Sequence, residues 1–166
     1  CMSQEVWDNY YKWFYDSNVW KTTSYRGIRT LKFPPDMWNY QEIIFAHKID
    51  NIIETGTRHG GSALFFADLL SVRNPHGMVY SIDINDEDRM LAAHDRIRFL
   101  LGDSADPTAP QAVSQLMGEQ RGKVFLILDS DHSRDHVLKE LECWVPFLRT
   151  GDYLIVEDSC VNGHPV

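Results

Sequence analysis

Residues 52–62 read Ile-Ile-Glu-Thr-Gly-Thr-Arg-His-Gly-Gly-Ser, an apolar segment that runs directly into a glycine-rich turn. Glycine allows the backbone to turn sharply and to approach a ligand closely. The residues that follow, about 61–72, favour a helix, so the stretch predicts a strand, a turn and a helix in succession. This order is typical of one unit of a parallel α/β sheet.

The same alternation continues to the end of the chain. Further strands are predicted over residues 78–82, 97–101, 124–128 and 152–156, with helices over 86–94, 108–119 and 133–147. Strands that alternate with helices imply right-handed crossovers and a parallel sheet. The sequence therefore predicts a Rossmann-like α/β domain over residues 49–166, with five parallel strands and helices on both faces. Ligands of such sheets collect beyond the carboxyl ends of the strands.

Residues 1–48 precede this domain and are rich in aromatic side chains. Helical spacing predicts one amphipathic helix through a group of five of them: Trp7, Tyr10, Tyr11, Phe14 and Tyr15. The helix is expected to pack on the domain or on a partner subunit, and the alternative is a lid or a wall for the substrate. Residues 21–35 are expected to be a loop, and Asp36 is expected to cap a helix that runs to about His47.

The composition limits the classes of partner. The 166 residues suggest one domain, and 16 basic against 24 acidic residues give a formal net charge of −8, which disfavours nucleic acid or an anionic membrane as a partner. No apolar run approaches the ~18 residues of a membrane-spanning helix. Three scattered cysteines indicate free thiols in a reducing cytoplasm: Cys1, Cys143 and Cys160.

The glycine-rich turn departs from the pattern that binds dinucleotides. That pattern needs glycines at set positions so that a pyrophosphate can sit on a helix N-terminus, and counted from Gly56 its middle glycine falls on Arg58. S-adenosylmethionine has an ammonium, a carboxylate and a ribose but no phosphate, and it suits this turn better. Glu54 would accept from the ammonium, directly or through water. Backbone N–H groups from Arg58 to Ser62 would receive the carboxylate.

Acids at the next two strand ends extend this expected cofactor site. Asp83 would take both ribose hydroxyls, and the turn Gly102-Asp103-Ser104 would hydrogen-bond the adenine. The predicted cofactor-binding residues are Glu54, Gly56, Thr57, Arg58, Gly60, Ser62, Asp83, Asp103, Ser104, Asp129 and His132.

The last two predicted strands also end in acids, in Asp129-Ser130-Asp131-His132 and in Glu157-Asp158. Carboxylates that converge there without a cationic partner would repel one another, and a hard cation such as Mg²⁺ would resolve this. The predicted ligands are Asp131, Glu157 and Asp158, with Asp129 as an alternative ligand or a residue beside the sulfonium. The metal would lower the pKa of a substrate hydroxyl and aim its oxygen at the methyl group. Alternatively, some of these acids cap the next helix or face solvent.

Two residues of this acidic region are candidate catalytic groups. His132 can contact the cofactor or act as a general base, and Asp131 can accept the proton itself. Arg134 stays charged, which limits it to an electrostatic role. The residues leave both assignments open.

Taken together, these motifs resemble the cephalosporin hydroxylase / rhamnosyl O-methyltransferase family over nearly the whole chain. The resemblance rests on residues 10–13, 36–42, 54–62, 128–133, 154–158 and 162–165. It implies a class I methyltransferase fold, S-adenosylmethionine as methyl donor and Mg²⁺ on Asp131, Glu157 and Asp158. It also implies a small-molecule acceptor, such as a sugar or a macrolide in natural-product or antibiotic biosynthesis, and a homo-oligomer. The family's further C-terminal strands are expected to be absent from this chain.

Other similarities keep alternatives open. A more distant similarity to catechol O-methyltransferases would place His132 against the adenine, which weakens its case as a base. A hydroxylase of β-lactam tailoring with non-haem iron would need two histidines and a carboxylate, for which His132, His136 and Asp131 are the candidates. A non-catalytic scaffold that retains the fold is the third possibility.

Overall fold

The N-terminal part of the computed structural model, which describes residues 4–159, consists of two helices joined by a small hairpin. Its elements are α1 (Gln4–Asp16), a 3-10 turn (Val19–Thr22), β1 (Ser24–Tyr25), β2 (Ile28–Arg29) and α2 (Pro34–Ala46). The hairpin lies where a loop was predicted. Cys1, Cys160 and the segment 162–165 used for the family resemblance lie outside the described residues.

Helix α1 packs on its own chain through Phe33. The ring centroids of the five predicted aromatic residues of α1 all lie within 6.4 Å of the Phe33 centroid. Phe33 and Phe14 are buried, so the cluster is a small core of its own. The aromatic residues at helical spacing thus lie on one side of α1, where Phe14 is buried and Trp7 stays exposed, and the loop before α2 supplies their partner.

Helix α2 begins at Pro34, and the prediction that Asp36 caps it was wrong. Phe33 is the N-cap residue, and the cap has no side-chain hydrogen bond. Proline fits the first turn because its missing N–H would have no partner inside the helix. Asp36 lies in that first turn, where the helix dipole favours an acid.

Five parallel strands form the central sheet, in the order β5-β4-β3-β6-β7. Their bounds are β3 (Asn51–Thr55), β4 (Val79–Asp83), β5 (Ile97–Leu101), β6 (Val124–Leu128) and β7 (Tyr153–Val156). Strand β3 pairs with both β4 and β6, so the strand order reverses between β3 and β6. The crevice at such a reversal is where open α/β sheets bind ligands.

Helices cover both faces of this sheet. They are α3 (Gly61–Arg73), α4 (Ala109–Met117) and α5 (Arg134–Trp144). Ile52 of β3 packs in a core with residues of α2 and α3, and its neighbour Ile53 packs in a second core with Val113 of α4 and Trp144 of α5. Both faces of the strands are therefore apolar, which confirms the Rossmann-like prediction. None of the described helices is long and apolar enough to cross a membrane.

The helix predicted over residues 86–94 was wrong. Residues 84–95 form an irregular loop with a turn at residues 87–88. Short polar side chains take the backbone donors that a helix would need: Asp83 accepts from Asn85 N and Asn85 accepts from Glu87 N, at 3.3 Å each. The loop is held against the glycine-rich turn, because His59 Nδ1 lies 2.8 Å from the carbonyl oxygen of Asp88.

Candidate functional site

A cavity of about 690 Å³ opens at the carboxyl ends of the strands. Residues from the ends of all five strands of the sheet and from the loop after β2 line it together. Nine of the predicted cofactor-binding residues are among them: Gly56, Thr57, Arg58, Ser62, Asp83, Asp103, Ser104, Asp129 and His132. Glu54 and Gly60 are not on the wall. The structure thus brings most of the predicted set to one cavity.

The shape of the turn after β3 depends on its glycines. Gly56 has φ +85°, and a Cβ atom there would lie 1.9 Å from the carbonyl oxygen of Asp129. A Cβ atom on Gly61 would lie 2.2 Å from the carbonyl oxygen of Arg29 and 2.4 Å from Thr30 Oγ1. The turn is therefore packed against the β6 loop on one side and against the N-terminal segment on the other.

Glu54 lies beneath this turn and is fully buried. Its Oε2 accepts a 2.7 Å hydrogen bond from Ser81 Oγ, while Oε1 has no hydrogen-bond partner in the part of the chain that the structure describes. Burial raises the pKa of Glu54, and the nearby Lys32 ammonium opposes that rise. Glu54 was predicted to accept from an ammonium either directly or through water. Because its carboxylate is fully buried, the water-mediated contact fits better than the direct one.

Asp83 ends β4 on the cavity wall. Its Oδ2 accepts a 2.8 Å hydrogen bond from the backbone N of Arg58, so the acid predicted for the ribose is tied to the glycine-rich turn. Asp103 is exposed after β5 and accepts from Ala105 N at 2.9 Å, while Ser104 is buried. These positions form a continuous edge from β3 to β5.

A lysine from the N-terminal segment enters the acidic cluster. Lys32 Nζ donates to Asp129 Oδ2 and to Glu157 Oε1, and its side chain is 3% exposed. Tyr40 donates its hydroxyl to the same oxygen of Glu157 at 2.7 Å. The premise that these acids lack a cationic partner was therefore wrong.

The electrostatics of this cluster follow from burial and crowding. Burial lowers the pKa of Lys32, but attraction to Asp129 and Glu157 outweighs burial and raises it well above its usual value. Burial, followed by repulsion from Glu157, raises the pKa of Asp129 well above its usual range. Burial also raises the pKa of Asp158. The single ammonium of Lys32 does not neutralise three carboxylates.

Asp129, His132 and Asp158 each place one potential ligand atom within 4.8 Å of the others. His132 Nε2 lies 3.1 Å from Asp158 Oδ2 and 3.9 Å from Asp129 Oδ1. This group, found among residues 4–159, contains one predicted metal ligand, Asp158, and the alternative ligand Asp129. Its donor set of carboxylates and an imidazole can hold a divalent cation.

The other two predicted ligands lie apart from this group. Asp131 is exposed and accepts from Ser133 N at 2.8 Å, which lowers its pKa. This matches the alternative in which an acid faces solvent, since Ser133 and not Asp131 is the N-cap of α5. Glu157 is held by Lys32 and Tyr40. Their role as metal ligands stays a prediction.

His136 belongs to a different set of contacts. Its Nε2 lies 3.0 Å from Ser130 Oγ, above a buried glutamate of the same helix, Glu140. The two histidines of the iron alternative, His132 and His136, are therefore engaged with different partners.

A second cavity, of about 240 Å³, adjoins the first. Aromatic side chains of the N-terminal segment and acids of the β6 and β7 ends line it, among them Tyr11, Tyr15, Phe33, Tyr40, Asp129, Glu157 and Asp158. Asp129 and Asp158 line both cavities. The acidic cluster is thus the partition between a larger cavity and a smaller one with aromatic side chains in its wall.

Comparison with known proteins identifies the family. The family model Rhamnosyl O-methyltransferase/CmcI matches residues 17–166. The chain belongs to this family. A rhamnosyl O-methyltransferase of Mycobacterium leprae (strain TN) is 44% identical over 165 residues, which is 99% of this chain and 72% of that protein. By family and fold, the chain is an O-methyltransferase of class I.

Solved structures agree on the fold. A CmcI structure with Mg and SAM has a TM-score of 0.68 at 24% identity, covering 84% of this chain and 58% of that one. The MycE methyltransferase from the mycinamycin biosynthetic pathway, in complex with Mg, SAH and mycinamycin VI, has a TM-score of 0.58 at 23% identity. It covers 74% of this chain and 34% of that one.

Three contributors to the site were missed from the sequence: Lys32, Tyr40 and Glu140. An isolated lysine between Leu31 and Phe33 is a weak signal that could have pointed to a buried cation. Tyr40 fell inside a predicted helix, and Glu140 inside another, where an acid is ordinary. Their roles depend on contacts with residues distant in the chain.

Proposed function

We propose that this chain transfers the methyl group of S-adenosylmethionine to a hydroxyl of a small-molecule acceptor, with Mg²⁺ as a second cofactor. The observation that carries the proposal is the pair of adjoining cavities that share Asp129 and Asp158. The larger would hold the cofactor and the smaller the acceptor, so the methyl group and the hydroxyl would meet at the acids. Holding two reactants in this way is a large part of what a transferase contributes.

The larger cavity fits the cofactor by charge and by shape. The unpartnered Oε1 of Glu54 supplies an acceptor on the ammonium side, and Asp83 supplies one for the ribose. Gly56 and Gly61 let the turn pack closely against the β6 loop and the N-terminal segment, which fixes the shape of this side of the cavity. In support, CmcI and MycE have been solved with SAM or SAH.

The acidic partition fits a divalent cation. Asp158, with Asp129 or with the predicted Asp131 and Glu157, would hold Mg²⁺, and the excess of carboxylate over ammonium charge favours a cation there. When bound, Mg²⁺ would supply electrostatic stabilisation of an ionised acceptor hydroxyl. The CmcI and MycE structures with Mg support this assignment.

The chain's own residues would orient the acceptor and take its proton. Lys32 and Tyr40 hold Glu157 at the partition. Of the two predicted proton acceptors, we favour His132, which lies beside Asp158 and Asp129 at the partition, whereas Asp131 is exposed and accepts from Ser133 N. We therefore assign the proton to the imidazole of His132.

The smaller cavity suits a sugar. Aromatic rings offer faces to the apolar side of a pyranose, and carboxylates accept from its hydroxyls. The relative named rhamnosyl O-methyltransferase supports a deoxysugar acceptor, and MycE with mycinamycin VI supports a macrolide-linked one. Natural-product tailoring, including antibiotic biosynthesis, is the setting that we propose.

Residues 1–48 would then form the acceptor wall, and not a detached lid. Their described part closes the smaller cavity and reaches the acids through Lys32. Exposed Trp13 and Trp38 on α1 and α2 would serve contacts with a second copy of the chain.

The test is methyl transfer from labelled S-adenosylmethionine to a panel of rhamnosides and macrolide glycosides, with Mg²⁺ and with a chelator. We expect transfer to at least one glycoside, its loss on chelation, and a stronger reduction in His132→Gln than in Asp131→Asn. Cofactor binding without transfer to any acceptor would favour the scaffold alternative. Equal activity in both variants and the parent chain would refute the assignment of the proton.

A further inference from the structure

A buried polar network lies beneath the larger cavity, around Glu140 of α5. Glu140 is fully buried, and its Oε1 accepts from two serine hydroxyls, Ser104 Oγ at 2.6 Å and Ser130 Oγ at 2.8 Å. Its Oε2 has no hydrogen-bond partner among residues 4–159. A buried carboxylate that is only half satisfied is costly to the fold. Its presence under a ligand cavity therefore calls for a functional reason.

The protons in this network can be assigned from the distances. A hydroxyl has one proton to donate and two lone pairs, and a carboxylate only accepts. Ser104 Oγ is 2.6 Å from Glu140 Oε1 but 3.4 Å from Ser130 Oγ, so its proton goes to the carboxylate. Hydrogen bonds to an ionised acceptor are also the stronger ones. Ser104 is thereby left with lone pairs alone.

The neighbours of Ser104 hold it in this state. Trp144 Nε1 donates to the Ser104 carbonyl oxygen at 2.9 Å, which fixes the backbone of the turn after β5. His136 Nε2 lies 3.0 Å from Ser130 Oγ and 3.4 Å from Ser104 Oγ, so its contact is shorter with the second serine. Ser104 lines the cavity. The Ser104 hydroxyl oxygen is therefore a fixed hydrogen-bond acceptor at the end of the cavity assigned to the adenine ring.

We infer that Glu140 is a positioning residue that makes Ser104 selective for the amino group of adenine, and this rests on the proposed cofactor. The 6-amino group of adenine is a donor, and it meets the lone pairs of Ser104. In the deaminated base, hypoxanthine, a carbonyl oxygen takes its place and would face those lone pairs without a proton between them. Sites with fixed polar groups reject a ligand that leaves them unpaired.

The test compares binding of S-adenosylhomocysteine and its deaminated analogue, S-inosylhomocysteine, by calorimetry. We expect the parent chain to prefer the adenine form by about 10- to 100-fold. In Glu140→Gln the amide can donate to the serines and release the Ser104 proton, so the preference should fall to a few-fold at most. Ser104→Ala should lose it as well. Glu142→Gln removes the same charge from an exposed position of α5 and should keep the full preference.

Each outcome bears on the inference. A preference that persists in folded Ser104→Ala or in folded Glu140→Gln would overturn it, and so would equal binding of both compounds by the parent chain. If Glu140→Gln does not fold by circular dichroism, Ser104→Ala alone decides. Failure of the parent chain to bind S-adenosylhomocysteine would overturn the proposed cofactor as well, whereas binding without discrimination would overturn the present inference alone.

Discussion

Replacing Lys32 with methionine tests the charge balance of the acidic partition. Methionine has a similar length and no charge, so the variant removes the ammonium while keeping most of the packing. The side chains of Lys32, Asp129 and Glu157 are 3%, 19% and 11% exposed, so the two carboxylates that remain would be mostly shielded from water. Removing one partner of a buried ion pair typically costs about 3–5 kcal/mol of unfolding free energy. We expect a loss in that range near neutral pH.

The loss should depend on pH in a definite direction. The pKa of Asp129 is already raised by burial and by Glu157, and without Lys32 it should rise further. An acid whose pKa is higher in the folded than in the unfolded state favours folding less as pH rises through that interval. The variant should therefore lose less stability at about pH 5 than at about pH 8. Lys32 itself has a pKa above its usual value, so its contribution in the parent chain stays constant across this range.

The assay is urea unfolding of chelator-treated protein, followed by circular dichroism at several pH values. Lys139→Met, at an exposed position of α5, is the matched control and should change the free energy of unfolding by less than about 0.5 kcal/mol. The additional replacement Asp129→Asn should restore part of what Lys32→Met loses. A loss no larger than that of the control, or one that grows as pH falls, would refute the reasoning.

Three further substitutions test other parts of the site. Gly56→Ala places a Cβ atom against a backbone oxygen at positive φ, so it should cost more than about 1 kcal/mol in urea unfolding and abolish S-adenosylhomocysteine binding in calorimetry. Gly102→Ala, with open space around its Cβ, should not destabilise the fold. Asp83→Asn should weaken that binding by about 10- to 100-fold, and unchanged affinity would contradict the ribose assignment. Tyr40→Phe removes the hydrogen bond to Glu157 and should lower the free energy of unfolding by about 1.5–3 kcal/mol. An unchanged free energy of unfolding would count against that contact.

Most of the fold could be predicted from local sequence patterns. The apolar runs that became β3 to β6 lie between turns with their own chemistry, so the order of strands and helices was readable without the structure. The loop at residues 84–95 could not be predicted in this way, because closely spaced acids and amides can cap turns as readily as they begin a helix. In that loop, contacts with His59 on a neighbouring strand end decide the outcome.

The site was readable only where it lies next to a strand. Asp83, Asp129 and Asp158 end strands or follow them, and parallel topology alone brings such ends together. Lys32 meets Asp129 and Glu157 across 97 and 125 residues of sequence, and no periodicity encodes that meeting. The identity of the metal ligands depends on side-chain directions at these ends, which the order of strands does not determine.

The close fit at Gly61 has a consequence for engineering within the family. The backbone of Arg29 and the hydroxyl of Thr30 occupy the space that any side chain at position 61 would need. Two residues further on, Lys32 completes the ion pairs of the opposite wall. A chimera that exchanges the N-terminal segment to change the acceptor would therefore have to carry the glycine-rich turn and the β6 loop from the same parent. Under the proposed function, acceptor preference and cofactor binding in this chain would therefore be exchanged together.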